Sequence, residues 1–191
     1  MNINEQYLTS VKKQFQYYKA LAEKAMDQIE PEQLFISVDE NTNSIAAIIK
    51  HMSGNMLSRW TDFLTTDGEK PNRNRDAEFE ITIADKATIL QKWNEGWDCF
   101  FTSFDQLQPG QLSDMVYIRN EGHTVIEAIS RHLAHSSYHI GQIVFYAKQL
   151  KEGAWKSLSI PKNKSNDYNA DKFSTEKTMK NYTESELRRM K

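Results

Sequence analysis

Two stretches of this chain place apolar residues at alternating spacings of three and four, and nothing else in it limits the fold so strongly. Leu8, Val11, Phe15, Tyr18, Ala22, Ala25 and Ile29 make one seam; Leu90, Trp93, Trp97, Phe100, Phe104 and Leu107 make another. Such a seam keeps one helical stripe against its neighbours along its whole length, as a near-parallel bundle requires. Two further amphipathic segments complete the pattern. About Ser44 to Leu64, the apolar set is Ile45, Ile48, Ile49, Met52, Met56, Trp60 and Phe63; about Thr124 to Leu150, it is Val125, Ile129, Leu133, Ile140, Ile143 and Ala147. The spacing predicts an all-α fold of four helices.

Helix starts are expected at Thr82-Ile-Ala-Asp85 and Thr124-Val-Ile-Glu127, where a hydroxyl precedes a carboxylate by three residues. Stops are expected at Pro31, Asp67-Gly68 and Pro71, Pro109-Gly110 and Gly153. The connectors 65–81 and 108–123 are long for a plain bundle and are expected to cover one end of it, with Val116-Tyr117-Ile118 as a short extended piece. Residues 1–160 form the bundle. Residues 161–191 are an irregular polar arm with eight basic and five acidic side chains, against a net −5 for the rest. The arm either packs on the body or a second subunit, or stays solvated; Thr183-Glu184-Ser185-Glu186 is a candidate cap for a last short helix.

Composition narrows the function classes. With 191 residues, 39% hydrophobic and 26% charged, the chain can bury one core, and 7 Gly with 4 Pro argue against a turn-rich β-sandwich. A net charge of −2 lacks the basic footprint of a nucleic-acid binder. No apolar run nears the ~18 residues of a membrane span, and Met1 to Phe15 has no signal-peptide core. The single Cys99 allows no intrachain disulfide and reads as a buried, inert thiol. The expected localisation is cytoplasmic.

The histidines carry the chemical signal. His132, His135 and His139 fall within about 60° of one another on the fourth helix, at one edge of its apolar stripe, together with Ala128, Gln142 and Tyr146. One such histidine is more often a hydrogen-bonded core residue than a ligand; three on one strip need another explanation. His135 and His139, one turn apart, can direct two ring nitrogens at one metal ion. A third ligand must come from another helix. His51 is the only histidine on the second segment; read from that helix alone it is an exposed imidazole, and what recommends it is that the pair needs a partner. His132 lies roughly 10 Å along the axis from His139 and cannot easily share its ion. A di-metal carboxylate site is disfavoured, because Glu121 and Glu127 do not stand in Glu-x-x-His spacing. Trp60, Trp93 and Trp97 are candidates to wall a pocket.

The run His132-Leu-Ala-His-Ser-Ser-Tyr-His-Ile-Gly-Gln-Ile143, with the isolated His51, resembles the DinB-like (YfiT-like) metalloprotein superfamily. Trp155-Lys-Ser-Leu-Ser-Ile-Pro161, Lys164-Ser165 and Tyr168-Asn169 resemble a subgroup of unknown function, and the likeness covers about residues 1–170. The resemblance implies an up-up-down-down four-helix bundle, a homodimer, and a divalent metal held by His51, His135 and His139. Zinc comes first, with nickel, iron or manganese as alternatives. His132 lies outside the implied triad; it, Asn55, Gln142 and Tyr146 are candidates to support the ligands or line the pocket.

Three protein imidazoles with an open coordination position suit catalysis better than a closed structural site. The expected activity is metal-dependent, S-transferase-like on a low-molecular-weight thiol and a small-molecule substrate, or hydrolase-like. The alternative is a non-catalytic bundle that binds a metal or small ligand. Neither nucleic acid nor membrane is an expected partner.

Overall fold

The computed structural model describes residues 2–82 and 85–190. The chain is mostly helical: α1 (Ile3–Met26), α2 (Ile45–Trp60), α3 (Lys86–Asp105), α4 (Val125–Leu150), α5 (Ser165–Phe173) and α6 (Tyr182–Met190), with β1 (Met115–Ile118) and β2 (Glu121–Thr124) between α3 and α4. No helix among the described residues is long and apolar enough to cross a membrane.

Local chemistry sets the boundaries. Asn2 and Glu5 form a reciprocal capping box at the start of α1. Ser44 caps α2 and Thr124 caps α4, each hydroxyl accepting the N–H three residues on. The start of α3 differs from expectation: Asp85 is the cap and accepts from the Thr88 N–H at 2.8 Å, while Ile83 and Ala84 of the Thr82–Asp85 box lie outside the described residues. The second segment stops at Trp60 rather than Leu64, because Thr61 turns extended and Asp62 adopts φ 49°. Phe63 is nonetheless buried, beyond the helix end.

Helix α1 packs on α4 and α2 on α3, with α2 also touching α4. The two seams meet in one apolar cluster, where Phe15 of α1 lies 4.4 Å, centroid to centroid, from Phe100 of α3, and Phe100 lies 4.7 Å from Trp60 of α2. Burying side chains of this size contributes about 1.5–3 kcal/mol each. Trp93 and Trp97 are buried in this core, and of the three tryptophans named as candidates to wall a pocket it is Trp60 that lines the cavity beside His135. Cys99 is half-buried, with the Thr61 hydroxyl 3.5 Å from its sulfur.

Connector 65–81 does not simply cover one end: it runs back along α2, the Gly68 carbonyl accepting from Ser58 near that helix's C-terminus and the Ala77 and Glu80 carbonyls accepting from Lys50 near its N-terminus. Antiparallel β1 and β2 turn at Arg119 and Asn120, both at positive φ (56° and 62°), a geometry that matches strand twist in a two-residue hairpin. Asp67 accepts both of their N–H groups (2.9 and 2.8 Å), and Gly68 donates to the Tyr117 carbonyl, clipping connector 65–81 to the hairpin. The C-terminal arm is not irregular. It carries α5 and α6, and α6 lies on α1, where Thr183 and Glu186 are buried and Lys13 pairs with Glu184 at 2.5 Å. The last helix is preceded by Asn181, which accepts from the Thr183 N–H, so Thr183 is not its cap.

Two helical glycines make opposite predictions. A Cβ on Gly96 would stand 2.8 Å from the Ser53 Cα, so α2 and α3 approach as closely as they do only because α3 lacks a side chain there. On Gly141 it would meet nothing within 4 Å. Gly96→Ala should destabilise by about 1–3 kcal/mol through overpacking, and Gly141→Ala should stabilise by up to about 1 kcal/mol through helix propensity. Urea denaturation of both variants checks the sign.

Candidate metal centre

Helix α2 carries His51 and α4 carries His135 and His139, and the contact between these helices brings the three rings together. Their ligand atoms all lie within 4.8 Å of one another, and the group can hold a metal ion. The Nε2 atoms of His51 and His135 are 3.1 Å apart. Two nitrogens about 2.0–2.1 Å from a tetrahedral ion would be about 3.3 Å apart, so little movement separates this geometry from a ligating one.

Two of the three outer nitrogens have a partner. His51 Nδ1 is 2.9 Å from Glu78 Oε2, and His139 Nδ1 is 2.8 Å from Gln142 Oε1. Both acceptors fix the ring as the Nδ1–H tautomer and leave Nε2 with its lone pair facing the cluster. A proton on His135 Nε2 or a cation can then bridge the 3.1 Å gap.

Glu78 is the residue that sequence reasoning missed. It lies in connector 65–81, far in sequence from the histidine run, and no helical spacing announces it. In space it is central. Arg73 grips it through Nε at 2.8 Å and Nη2 at 3.0 Å, and it is only 7% exposed. Burial alone would raise its carboxyl, but the bonds from His51 and Arg73 outweigh that and hold its pKa below the usual value. Lys50, beside His51, donates to the Ala77 and Glu80 carbonyls and ties the connector to α2. Phe79 stacks on the His51 ring at 4.8 Å. The one available clue was Gly54, one turn after His51 on α2: a Cβ there would stand 2.3 Å from Glu78 Oε1.

The electrostatics keep His135 and His139 neutral. Burial, followed by the neighbouring His139 and His51, lowers the His135 pKa to about 3. Burial also lowers His139, partly opposed by Gln142. Ligation requires unprotonated nitrogen, which His135 and His139 are held ready to offer.

The supporting candidates separate. Gln142 orients His139 as described. Asn55 lines a cavity beside His135. His51 is buried, not the surface imidazole its helix alone implied. Tyr146 points elsewhere, its hydroxyl donating to the Ile36 carbonyl at 3.1 Å. His132 does not bond a member of the triad; its ring is 6.4 Å from that of His135 and packs against Phe100 (4.9 Å), Phe15 and Trp60. Of the disfavoured carboxylates, Glu127 accepts from His123 Nδ1 at 3.1 Å.

Fold and site together define a helical protein with a half-buried three-histidine cluster able to take a metal ion. Residues 2–164 match the family described as "Protein of unknown function (DUF1572)", and the chain belongs to that family. No curated protein and no solved structure matches it.

Two outcomes test this geometry. Glu78→Gln should weaken zinc binding about 10–100-fold, the usual worth of a carboxylate behind a ligating histidine, and Gly54→Ala should weaken it too by displacing Glu78; calorimetric titration with zinc reads both. The second concerns acid. Burial pushes His132 down to about 3, so below about pH 6.5 the unfolded chain takes up a proton that the folded one refuses. Stability is therefore full above that pH and lost as pH falls, by up to about 1.4 kcal/mol per pH unit for this residue. The urea midpoint of metal-free protein should drop between pH 7.5 and 5, and drop less in His132→Leu.

Proposed function

We propose that this protein is a metal-dependent enzyme of the DinB-like superfamily, built as an up-up-down-down four-helix bundle, that holds one divalent ion, zinc first, through His51, His135 and His139. The observation that carries the reading is the double role of His135: it belongs to the ligand cluster and also lines a cavity of about 90 Å³. A metal site that opens onto a small cavity suits chemistry on a small molecule better than a closed structural role.

When bound, the ion would supply Lewis acidity, lowering the pKa of a coordinated water or thiol. The chain's own residues do the rest. Glu78 and Gln142 hold the His51 and His139 rings as Nδ1–H tautomers, Phe79 covers one face of His51, and the aromatic wall of Trp60 and Phe63 excludes water from one side of the cavity. Thiol S-transfer is favoured over hydrolysis on the sequence resemblance alone. The second reading, a non-catalytic metal or ligand binder, predicts metal binding without turnover.

Elemental analysis of untagged protein should give one divalent metal per chain. His51→Ala, His135→Ala and His139→Ala should each abolish stoichiometric binding, while His132→Ala keeps most of it. Equal loss in His132→Ala and His139→Ala would falsify the assigned triad. Screening the loaded protein with low-molecular-weight thiols plus electrophiles, and with ester and amide substrates, separates transferase, hydrolase and binder.

A further inference from the structure

The cavity next to His135 has a chemical character of its own. Both ionised side chains in its wall are guanidinium groups, Arg59 from α2 and Arg131 from α4, and no carboxylate lines it. Asn55 adds an amide. Arg59 is anchored by the Gly68 carbonyl (2.6 Å) and Glu69 (3.0 Å). Arg131 is different. It is exposed, its one hydrogen bond goes to His123 Nε2 at 3.5 Å, and it makes no ion pair among the described residues.

Two further polar groups are left over in the same wall. His132 is 6% exposed and Trp60 1%, and neither His132 Nε2 nor Trp60 Nε1 has a hydrogen-bond partner. Buried polar atoms in native cores are almost always satisfied, and each orphan costs about 1–3 kcal/mol. Here two of them belong to residues that line one small cavity with two cations. Arg59 already shares the Glu69 carboxylate, but Arg131 has no carboxylate partner among the described residues, and a small anion in the cavity would supply between the two guanidinium groups the charge that water cannot. A planar carboxylate also matches the guanidinium fork, and the apolar side formed by Phe63, Ile118 and Ala128 suits a short hydrocarbon chain.

We infer that this cavity is a carboxylate subsite, in which Arg59 and Arg131 take the carboxylate of a small substrate whose reacting group faces His135 and the histidine cluster. The inference rests on the metal-site reading for what happens at that reacting end, and on the cavity alone for the carboxylate. It specifies the substrate class: a short molecule with a carboxylate a few bonds from the thiol or electrophilic carbon.

Propionate and propionamide, alike in shape and different in charge, are the probes. In ¹H–¹⁵N spectra of the zinc-titrated full chain, the Trp60 indole signal should shift with propionate, saturating at roughly millimolar concentration as expected for so small a ligand. Propionamide should leave it in place. Arg131→Gln, an exposed position that folding does not depend on, should weaken propionate about tenfold or more, the worth of one charge-assisted hydrogen bond. Arg59→Gln should do the same if it folds. Equal response to the two probes, or propionate binding unchanged in Arg131→Gln, overturns the subsite; inorganic phosphate binding more tightly than propionate overturns the carboxylate assignment. Repeating the titration without zinc separates the two readings. Zinc that does not bind sinks the metal centre, while the propionate response still reports on the arginines.

Discussion

The buried carboxylate of Glu78, shared between Arg73 and His51, is the interaction on which the candidate site depends. It joins the connector between α2 and α3 to the middle of α2, and it decides which nitrogen of His51 faces α4. Removing one partner of such a buried, charged hydrogen-bonded pair typically costs about 3–5 kcal/mol, because the other is left uncompensated. The pair survives burial because every lone pair it needs is met: Arg73 makes a two-pronged contact, His51 supplies the third bond, and Gly54 yields the space.

Around that pin the helical core acts as a rigid frame. The α2–α3 contact closes at Gly96 and Ser53, and the aromatic block of Phe15, Trp60 and Phe100 fixes α1, α2 and α3 against one another. Helix α4 then needs only its apolar stripe to place His135 and His139 opposite His51. His132, one turn earlier, falls into the aromatic block instead. The same strip of α4 thus serves packing at one end and chemistry at the other, with the arginine-lined cavity between α2 and α4 alongside.

How much of this the sequence disclosed depends on distance along the chain. The seams and the four long helices are periodic, and periodicity is written locally; so is the His135–His139 pair. His51 could be nominated because the pair needed a third partner and because the family resemblance implies it, while its own helix marks it as surface. Glu78 and Arg73 could not be found that way. They lie in an irregular connector, their spacing has no helical meaning, and only the tertiary fold brings them to His51. The Asp85 cap and the helical C-terminal arm were misjudged for a related reason: several side chains near each could cap or pack, and competition among them is settled by geometry rather than by residue type.

The most direct test of the account is a crystal structure of zinc-loaded protein with anomalous data collected at the zinc edge. The account predicts one strong peak, about 2.0–2.1 Å from the Nε2 atoms of His51, His135 and His139, with Glu78 and Gln142 still on the Nδ1 atoms of His51 and His139. A peak at other residues, or no peak with the His51 and His135 rings still bonded to each other, would contradict it.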